Sequence, residues 1–455
     1  MRRANLPRRD FLAIAAAAAV AGRTPVAPPL RPRPTRSQLR WQRDELALFA
    51  HFGVNTFTDR EWGNGQESPA IFNPTALDAR QWTRAARTAG FRTVILTAKH
   101  HDGFCLWPTA TTPHSVAASP FRNGQGDVVR EVADACRADG LRLGLYLSPW
   151  DRNAATYGSD RYSDFYGDQL TELLTHYGAV HEVWFDGANG EGPSGKRQLY
   201  DWPRYWGIVR RLQPEAVIFS DAGPDLRWIG NERGAAGETN WSLVDPSAVP
   251  YPGADGPEVL RMLQEGDRAG TVWRPGETDA SIRPGWFYHA ADNGAVRSVA
   301  DLVALYATSV GRNSKLLLNV PPTRDGLLHP TDVQRLTGMR LALETLFARS
   351  LAPERSPRWR VGGAHDVVEV DLGRLTAVGL AVIAEDIQQG QVIARWRLEG
   401  RDDTGWRELS RGTTIGYKRI VRFPARALRR VRLVIEESLA SAAPPKLQLY
   451  AGGEP

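Results

Sequence analysis

The segment TVILTAKHHD, residues 93–102, joins a β-rich apolar run to a cluster of polar side chains. Helical patterns lie on both sides of it, over residues 79–89 and 127–138, and each ends at a glycine. Residues 141–148 then form the next β-rich run. Short buried strands that alternate with single helices predict a parallel sheet covered by helices.

The same alternation extends along the chain in both directions. We expect further strands at residues 46–52, 180–185, 216–220 and 316–320, and further helices at residues 164–177, 202–212, 298–310 and 331–348. Gly, Pro and Trp crowd residues 222–297, which predicts long loops there. The fold class that this series favours is α/β, with a (β/α)8-like barrel over residues 41–352 that is irregular in its second half.

The spacing of apolar residues changes after about residue 353. Residues 368–372, 393–398 and 431–435 alternate between apolar and polar side chains, and glycine-bearing turns separate them. Alternation with a period of two is typical of half-buried strands. We therefore expect a C-terminal antiparallel β-sandwich over residues 353–455.

The first 40 residues have the character of an export leader. Arg8 and Arg9 precede an apolar run over residues 13–21, which ends in the small residues of a cleavage site. This pattern resembles a twin-arginine signal. The run is shorter than the ~20 residues that span a bilayer. We predict a signal peptide at residues 1–21, a Pro/Arg linker at 22–40, and a periplasmic or extracellular protein without a stable membrane anchor.

The positive net charge of the chain comes from this leader. The net charge is +6, but residues 1–40 contain nine Arg and one Asp, so the remainder carries −2. This remainder offers no electrostatic argument for nucleic-acid binding. Cys105 and Cys136 are the two cysteines of the chain, and we expect both to be reduced. The oligomeric state is unknown from the sequence.

Polar and aromatic residues follow four consecutive predicted strands. They are His51, residues 100–102, residues 146–151 and residues 184–187. Barrel enzymes carry their reactive side chains at these strand ends. Trp184 and Asp186 are two residues apart and so share one face of a strand. We expect a functional site at this end of the barrel, although Asp186 could also be an N-cap of the following turn.

His100, His101 and Asp102 invite comparison with a metal site. Adjacent residues of a regular strand point to opposite sides, and the sequence supplies no further cluster of ligands. We therefore predict no metal and no other cofactor, with neutral histidines binding sugar hydroxyls. A metal-dependent hydrolase that uses these three residues remains an alternative. Sequence signatures of a serine nucleophile elbow and of a phosphate-binding loop are absent.

Carboxylate chemistry is the remaining candidate, because glycosidases use one ionised and one protonated carboxyl group. Asp186 is the first of the pair, and the neighbouring Gly187 leaves room for a bulky ligand to approach. Glu232 is a candidate for the second, since it follows the next strand among aromatic and glycine residues. The residues alone leave four alternatives open, namely Glu61, Glu191, Glu238 and Glu277.

These motifs resemble those of the α-L-fucosidases of glycoside hydrolase family 29. The most specific are KHHDGF at residues 99–104 and WFDG at residues 184–187. The resemblance covers about residues 41–440 and implies a β/α barrel with a C-terminal β-sandwich. It also implies that Asp186 is the nucleophile. The resemblance further implies that His51, Glu61, Trp62, His100, His101, Tyr146 and Trp184 match residues that bind the fucose hydroxyls and ring. Trp286 matches the aromatic residue that lies near the sugar methyl group.

The segment WIGNERG, residues 228–234, is similar to the branch that acts on α-1,3 and α-1,4 fucosides. In that branch the matching glutamate is the acid/base, which implies this role for Glu232. We therefore predict a retaining exo-α-L-fucosidase that removes terminal α-1,3/1,4-linked fucose from Lewis-type branched glycans. Its partner is then a fucosylated oligosaccharide or glycoconjugate. The alternative is a carbohydrate-binding protein on a catalytically inactive barrel, which would lack one of the two carboxylates.

Overall fold

A computed structural model describes residues 31–353, 357–361 and 365–452 of the chain. The first ten strands are β1 (Leu46–Ala50), β2 (Thr93–Lys99), β3 (Arg142–Leu147), β4 (Glu182–Trp184), β5 (Val217–Phe219), β6 (Arg227–Trp228), β7 (Leu243–Val244), β8 (Val272–Trp273), β9 (Gly276–Ser281) and β10 (Ser314–Asn319). The helices are α1 (Arg36–Asp44), α2 (Val54–Thr58), α3 (Ala79–Thr88), α4 (Val128–Asp139), α5 (Tyr162–His176), α6 (Trp202–Leu212), α7 (Pro257–Glu265), α8 (Val299–Thr308) and α9 (Pro330–Leu346).

Eight of these strands form a nearly closed parallel barrel. Their order is β5-β4-β3-β2-β1-β10-β9-β6, and a parallel bridge between Phe219 and Leu226 joins the two edges. The predicted β/α barrel is confirmed. Its second half is irregular, because β6 has only two residues and β7 pairs with β8 in a separate antiparallel ribbon.

Local capping explains why several helices lie where the sequence predicts them. Asp78 accepts a hydrogen bond from the backbone N–H of Gln81 at the start of α3, at 3.1 Å. Asp127 does the same for Arg130 at the start of α4, at 2.8 Å. Both bonds satisfy N–H groups that have no partner inside the helix. Gly140 then ends α4 in the left-handed conformation, with φ of 68°.

The region from residue 222 to 297 is more ordered than its composition predicts. It contains α7 and β9, where the sequence predicted loops, so that prediction was wrong for these residues. Strand β9 is buried along its entire length although four of its six residues are polar. Because its inward side chains find polar partners inside the barrel, β9 lacks the apolar pattern by which buried strands are recognised.

A polar network fills the lower part of the barrel. The ammonium group of Lys315 lies 3.0 Å from the Glu182 carboxylate, which also accepts the indole N–H of Trp41 at 2.9 Å. Burial, followed by the charge of Glu182, raises the pKa of Glu277 well above its usual range. Since Trp41 belongs to α1, this helix closes the amino-terminal end of the barrel, and the barrel interior is a packed core rather than a channel.

Helix α1 also limits the predicted linker. It begins at Arg36, where Thr35 and Gln38 form a capping box. The prediction of a linker over residues 22–40 is therefore wrong for residues 36–40, which are helical. The predicted signal peptide at 1–21 and residues 22–30 of the linker lie outside the described residues.

The rest of the chain forms an antiparallel β domain. Its strands are β11 (Arg358–Arg360), β12 (Asp366–Ala384), β13 (Ile393–Asp402), β14 (Gly405–Gly412), β15 (Arg419–Ser438) and β16 (Lys446–Tyr450). The predicted antiparallel C-terminal domain is confirmed, and its strands are hydrogen-bonded into one connected sheet. The long strands β12 and β15 change register within their pairing, and both halves of β12 contribute to one buried cluster.

The β domain contacts the barrel near the start of β10. The backbone N–H of Asn313 donates to the carbonyl of Lys418 at 3.0 Å, and that of Ile420 donates to Gly311 at 2.9 Å. These contacts lie at the amino-terminal end of β10, away from the end at which the predicted site residues lie. Cys105 and Cys136 are both free and buried. Across the described ranges, no helix combines the length and the apolar character that a membrane crossing requires.

Candidate active site

A cavity of about 390 Å³ opens at the carboxyl ends of the barrel strands. All ten residues that the sequence predicted for the site line it, together with three that it did not predict. The lining residues are Phe49, His51, Glu61, Trp62, His100, His101, Tyr146, Trp184, Asp186, Ala188, Glu232, Asp279 and Trp286. The fold thus brings together side chains from six strand ends and the loops that follow them.

Asp186 is held by one hydrogen bond to each carboxylate oxygen. Oδ1 accepts the backbone N–H of Ala188 at 2.7 Å, and Oδ2 accepts the hydroxyl of Tyr146 at 2.9 Å. Burial, and then the charge of Asp186, raises the pKa of Tyr146 well above its usual range, so Tyr146 remains a donor. The next helix begins only at Trp202. Oδ1 of Asp186 therefore caps the following turn rather than a helix, and the residue also lines the cavity.

Gly187 has a different role from the one that the sequence suggested. A Cβ atom at this position would lie 2.6 Å from the backbone nitrogen of Gly253 and 2.5 Å from Oδ2 of Asp221. The absence of a side chain therefore makes room for a neighbouring loop of the protein, and not for a bulky ligand. The Asp221 carboxylate fixes that loop by accepting the N–H of Gly253 at 2.9 Å.

The hydrogen-bond network fixes the protonation of His51. The amide of Asn319 donates to the carbonyl oxygen of Trp286 at 2.8 Å, which orients its oxygen Oδ1 toward His51. Nδ1 of His51 must then carry hydrogen and donate to that oxygen, at 2.9 Å. Burial lowers the pKa of His51 to about 3, so the ring is neutral. The other ring nitrogen, Nε2, is left as a hydrogen-bond acceptor.

His101 is fixed in the same way. The hydroxyl of Ser148 donates to the carbonyl of Trp150 at 2.7 Å, so it can only accept from Nδ1 of His101, at 2.8 Å. Burial lowers the pKa of His101 more than the charge of Asp186 raises it. Nε2 of this neutral ring is an acceptor and lies 3.8 Å from Oδ2 of Asp186.

His100 and His101 both line the cavity, although adjacent residues of a regular strand would diverge. Their ring centroids are 4.1 Å apart. The pairing of β2 with β3 is irregular between Thr97 and Lys99, which lets the two rings turn to the same side. Asp102 is turned away, since Oδ1 accepts the backbone N–H of Phe104 at 2.8 Å. Within the described part of the chain, no three His, Cys, Asp or Glu residues form a group that could hold a metal ion.

Glu61 anchors the loop that carries Trp286. Its carboxylate accepts the backbone N–H groups of Trp286 at 2.7 Å and of Phe287 at 3.2 Å. It also accepts from Nε2 of His289 at 2.6 Å. A Cβ atom at Gly285 would lie 2.3 Å from the Glu61 carboxylate, so any other residue there would displace it. Glu61 is therefore a positioned carboxylate with three donors.

Aromatic rings form the walls and floor of the cavity. Trp184 stacks on Phe219 with ring centroids 4.4 Å apart, and its indole N–H donates to Glu277 at 3.1 Å. Trp62 stands at the mouth with 58 % of its surface exposed, and its ring meets those of His101 and Trp150 edge-on. Such flat rings suit the apolar faces of a sugar.

Glu232 lies at the rim of the cavity, on the loop after β6. Its carboxylate accepts the indole N–H of Trp286 at 3.3 Å. Partial burial raises the pKa of Glu232; the hydrogen bond from Trp286 opposes this, and the charges of Asp186 and Glu61 reinforce it. Gly230 and Gly234 flank the residue with positive φ angles. Glu232 thus has one donor where Glu61 has three, and its surroundings raise its pKa above the ordinary value of a glutamate.

The other glutamates that the sequence left open lie elsewhere. Glu277 is buried inside the barrel below Trp184. Glu238 pairs with Arg312 and Arg419 beside the β domain. The side chain of Glu191 is not among those that line the cavity.

Sequence reasoning missed Phe49, Ala188 and Asp279 as residues of the cavity. Phe49 was hidden in an apolar run, and Ala188 carries no chemical signal. Asp279 lies in β9, where the polar residues 277, 279 and 281 are two apart, although Thr278 between them is polar as well. That spacing was the one available sign of a strand whose inward face is polar.

A barrel that presents several carboxyl groups in one aromatic, polar cavity at its carboxyl-terminal end has the architecture of a glycoside hydrolase. The sequence model of the family described as alpha-L-fucosidase matches residues 21–344. The chain therefore belongs to the α-L-fucosidases of glycoside hydrolase family 29, as its motifs predicted, and it is a glycoside hydrolase.

Individual relatives agree with this membership. The chain is 42 % identical to alpha-L-fucosidase 1 of Arabidopsis thaliana over 454 residues, which cover 93 % of this chain and 88 % of the relative. It is similar to the crystal structure of a glycoside hydrolase 29 family member from a rumen bacterium, with 43 % identity, a TM-score of 0.87, and coverage of 94 % and 78 % of the two chains. A family 29 fucosidase of Ruminococcus gnavus, solved in complex with fucose, has 31 % identity and a TM-score of 0.84, with coverage of 93 % and 95 %.

Proposed function

We propose that this α-L-fucosidase is a retaining, exo-acting enzyme in which Asp186 is the nucleophile and Glu232 the acid/base. The observation that carries the proposal is the placement of both carboxyl groups on one cavity at the barrel mouth. Of the glutamates in that cavity, Glu61 is occupied by three donors, whereas Glu232 keeps a raised pKa and one weak donor. A carboxylate beside a carboxyl group that favours its proton is the pair that retention needs.

The reaction proceeds in two steps. In the first, a carboxylate oxygen of Asp186 bonds to the anomeric carbon while the bond to the leaving oxygen breaks, and Glu232 gives its proton to that oxygen. In the second, Glu232 takes a proton from water, and the water oxygen displaces Asp186 from the anomeric carbon. Asp186 and Glu232 end in their starting states.

The remaining predicted residues hold the sugar. Nε2 of His51 and Nε2 of His101 accept hydrogen bonds from its hydroxyl groups, and so does the Glu61 carboxylate. Trp62 and Trp286 contact its apolar surface. The family 29 relative in complex with fucose supports a fucose unit as the occupant.

The closed floor of the cavity supports exo action. Phe49, Trp184 and Asp279 are buried and block passage into the barrel below. A sugar chain can then enter only by a terminal residue, and the rest of the glycan stays at the mouth beside Trp62 and Glu232. This is the expected geometry for the removal of single terminal fucose units.

We further propose that the natural substrates are α-1,3- and α-1,4-fucosylated Lewis-type glycans. The likeness of residues 228–234 to that branch supports this choice. The test is to compare kcat/KM for Lewis-type trisaccharides with that for the α-1,2-linked 2′-fucosyllactose. We expect a preference of at least ~10-fold for the trisaccharides, equal to ~1.4 kcal/mol of transition-state binding. An equal or reversed preference would contradict the proposed linkage.

The catalytic assignment is tested with Asp186→Ala. We expect kcat on 4-nitrophenyl α-L-fucoside to fall by ~10³-fold or more, since no covalent intermediate can form. Azide should restore turnover and yield a fucosyl azide. Asp160→Ala, at an exposed position outside the cavity, is the matched control and should keep its activity. Substantial activity in Asp186→Ala without azide would refute its role as nucleophile.

A further inference from the structure

Asp279 carries a buried carboxyl group on the floor of the cavity. This carboxyl group has no role in the proposed two-step reaction. It lies in β9 opposite Leu317 of β10 and is only 5 % exposed, yet it lines the cavity. Its Oδ1 accepts the indole N–H of Trp228 at 2.8 Å. No hydrogen bond from another described residue reaches its second oxygen.

We propose that Asp279 binds a hydroxyl group of the sugar through the oxygen that Trp228 leaves free. This inference rests on the proposed placement of a fucose unit in the cavity. The other floor residues, Phe49 and Trp184, offer aromatic surface in the cavity, and the indole N–H of Trp184 is already directed to Glu277. A hydroxyl group that reaches the floor needs a polar partner there, because an unpaired buried polar group is destabilising. Asp279 is that partner.

The surroundings of Asp279 favour a proton on its carboxyl group. Burial raises the pKa of Asp279 to about 8; the hydrogen bond from Trp228 opposes this, and the charges of Glu232 and Asp221 add to it. The neighbouring strand β10 presents Leu317 in register, and its Lys315, one layer below, is bound to Glu182. On β9 itself, the neighbouring inward carboxyl group of Glu277 is also one whose pKa is raised.

A neutral Asp279 complements the acceptors above it. The Glu61 carboxylate, Nε2 of His51 and Nε2 of His101 can only accept hydrogen bonds from the sugar. Each sugar hydroxyl is both a donor and an acceptor, so a hydroxyl that donates to one of these three groups still needs a donor for its own oxygen. The protonated carboxyl group of Asp279 supplies one donor at the floor.

The experiment compares Asp279→Asn with Asp279→Ala. Asn keeps an oxygen for Trp228 and places an N–H donor where the carboxyl proton lies. On 4-nitrophenyl α-L-fucoside we expect kcat/KM to fall ~30-fold in Asp279→Ala and only about threefold in Asp279→Asn, as for one buried hydrogen bond. Equal losses in the two variants, or no loss in Asp279→Ala, would overturn the proposal.

Monodeoxy substrates identify the contact itself. The same fucoside lacking its 2-, 3- or 4-hydroxyl group is assayed with both variants and with the unaltered enzyme. With the analogue that lacks the hydroxyl bound by Asp279, the ~30-fold penalty of Asp279→Ala should largely disappear. The hydrogen bond is then already absent, so removing its second partner causes little further loss. A penalty that is the same for all three analogues would show a purely structural role and overturn the proposal.

Thermal unfolding provides a reading that does not depend on activity. Burial raises the pKa of Asp279 in the folded protein to about 8, from an ordinary value of 3.8. Between these two pH values the folded state binds more protons than the unfolded state, so the protein loses stability as pH rises through this range. Asp279→Asn should therefore raise Tm at pH 9 relative to the unaltered enzyme, and the gain should vanish near pH 4. A gain at pH 4 or none at pH 9 would contradict a neutral Asp279.

These outcomes separate this inference from the catalytic proposal. If Asp186→Ala keeps its activity, the catalytic assignment fails whatever the Asp279 variants show. If Asp186→Ala is inactive and azide restores it, but Asn and Ala at position 279 behave alike, only the role of Asp279 fails. Should Asp279→Ala not fold, the Asn variant still decides the matter, because a loss of ~30-fold in it would refute a donor role.

Discussion

At the scale of single residues, one small cavity holds carboxyl groups in clearly different hydrogen-bonding surroundings. Glu61 accepts from three N–H donors, Glu232 from one indole at 3.3 Å, and Asp279 from one indole in a buried setting. Donors stabilise the charged form of a carboxyl group and desolvation stabilises its neutral form. Glu61 is therefore suited to hold its loop in place, whereas burial raises the pKa of Glu232 and that of Asp279.

The raised pKa of Glu232 leads to a prediction for the pH dependence of kcat/KM. As the acid, Glu232 must be protonated, so activity should fall as pH rises through its pKa. In Trp286→Phe the indole N–H that favours the charged form is lost, while an aromatic ring remains. The pKa of Glu232 should then rise further and move the alkaline limb to higher pH.

The measurement is the full pH profile of kcat/KM for both proteins on 4-nitrophenyl α-L-fucoside. Trp184→Phe is the matched control, because Trp184 donates to Glu277 and not to Glu232. An alkaline limb of Trp286→Phe that stays in place or moves to lower pH would contradict the proposed acid.

At the scale of elements, one histidine helps to hold the loop over residues 285–289 in place. Nε2 of His289 lies 2.6 Å from Glu61, and Nδ1 lies 2.9 Å from Asp59. Two carboxylates can only accept, so both ring nitrogens carry hydrogen and the ring is positively charged. Burial lowers the pKa of His289, but the hydrogen bonds of Asp59 and Glu61 raise it by more. This ion-paired ring joins the loop to the segment that carries Glu61.

His289→Gln should therefore lower Tm in a pH-dependent way. Since the folded pKa is raised, the stabilisation by His289 is complete below its unfolded pKa and is lost as pH rises through the folded value. We expect a lower Tm than that of the unaltered enzyme at pH 5.5, and a smaller difference at pH 9. His176→Gln, at an exposed position on α5, is the control and should change Tm equally little at both values. A deficit that grows with pH would contradict a charged His289.

Helices and strands also differ in how well the sequence predicts them. Helices α3 and α4 have polar caps, a glycine stop in α4 and one apolar face, and all of these are local signals. Strand β9 has none of them, because Glu277 and Asp279 are buried against partners from distant strands and loops. The indoles of Trp184 and Trp228 donate to these two carboxyl groups, and no window along the chain brings them near β9.

At the scale of the whole molecule, the functional cavity belongs to the barrel. None of the described residues that line it comes from the C-terminal β domain, which contacts the barrel near Gly311 and Asn313. The match to the family begins at residue 21 and so leaves the first 20 residues outside it. The cavity lies in the matched barrel, and the predicted signal peptide lies almost entirely before residue 21.

We propose that this leader directs export through the twin-arginine pathway. Replacing both Arg8 and Arg9 by lysine keeps the charge but removes the arginine pair. In a host with this pathway, we expect the double variant to lose most periplasmic fucosidase activity while its cytoplasmic activity rises. The control changes Arg2 and Arg3 to lysine and should leave export intact. Periplasmic activity that does not change in the Arg8/Arg9 variant would refute this route.

The sequence by itself determined the barrel class, the antiparallel character of the C-terminal domain and the ten residues that share the cavity. Periodicity, caps and strand-end motifs in neighbouring residues indicate the fold and several of these residues, and the resemblance to family 29 implies the others, such as Glu61, Trp62 and Trp286. Only the tertiary structure decided that Gly187 accommodates the loop of Gly253, that β9 is a strand, and that Asp279 reaches the floor. Each of these depends on contacts between residues far apart in the chain, and burial among such partners sets protonation states that no local pattern encodes.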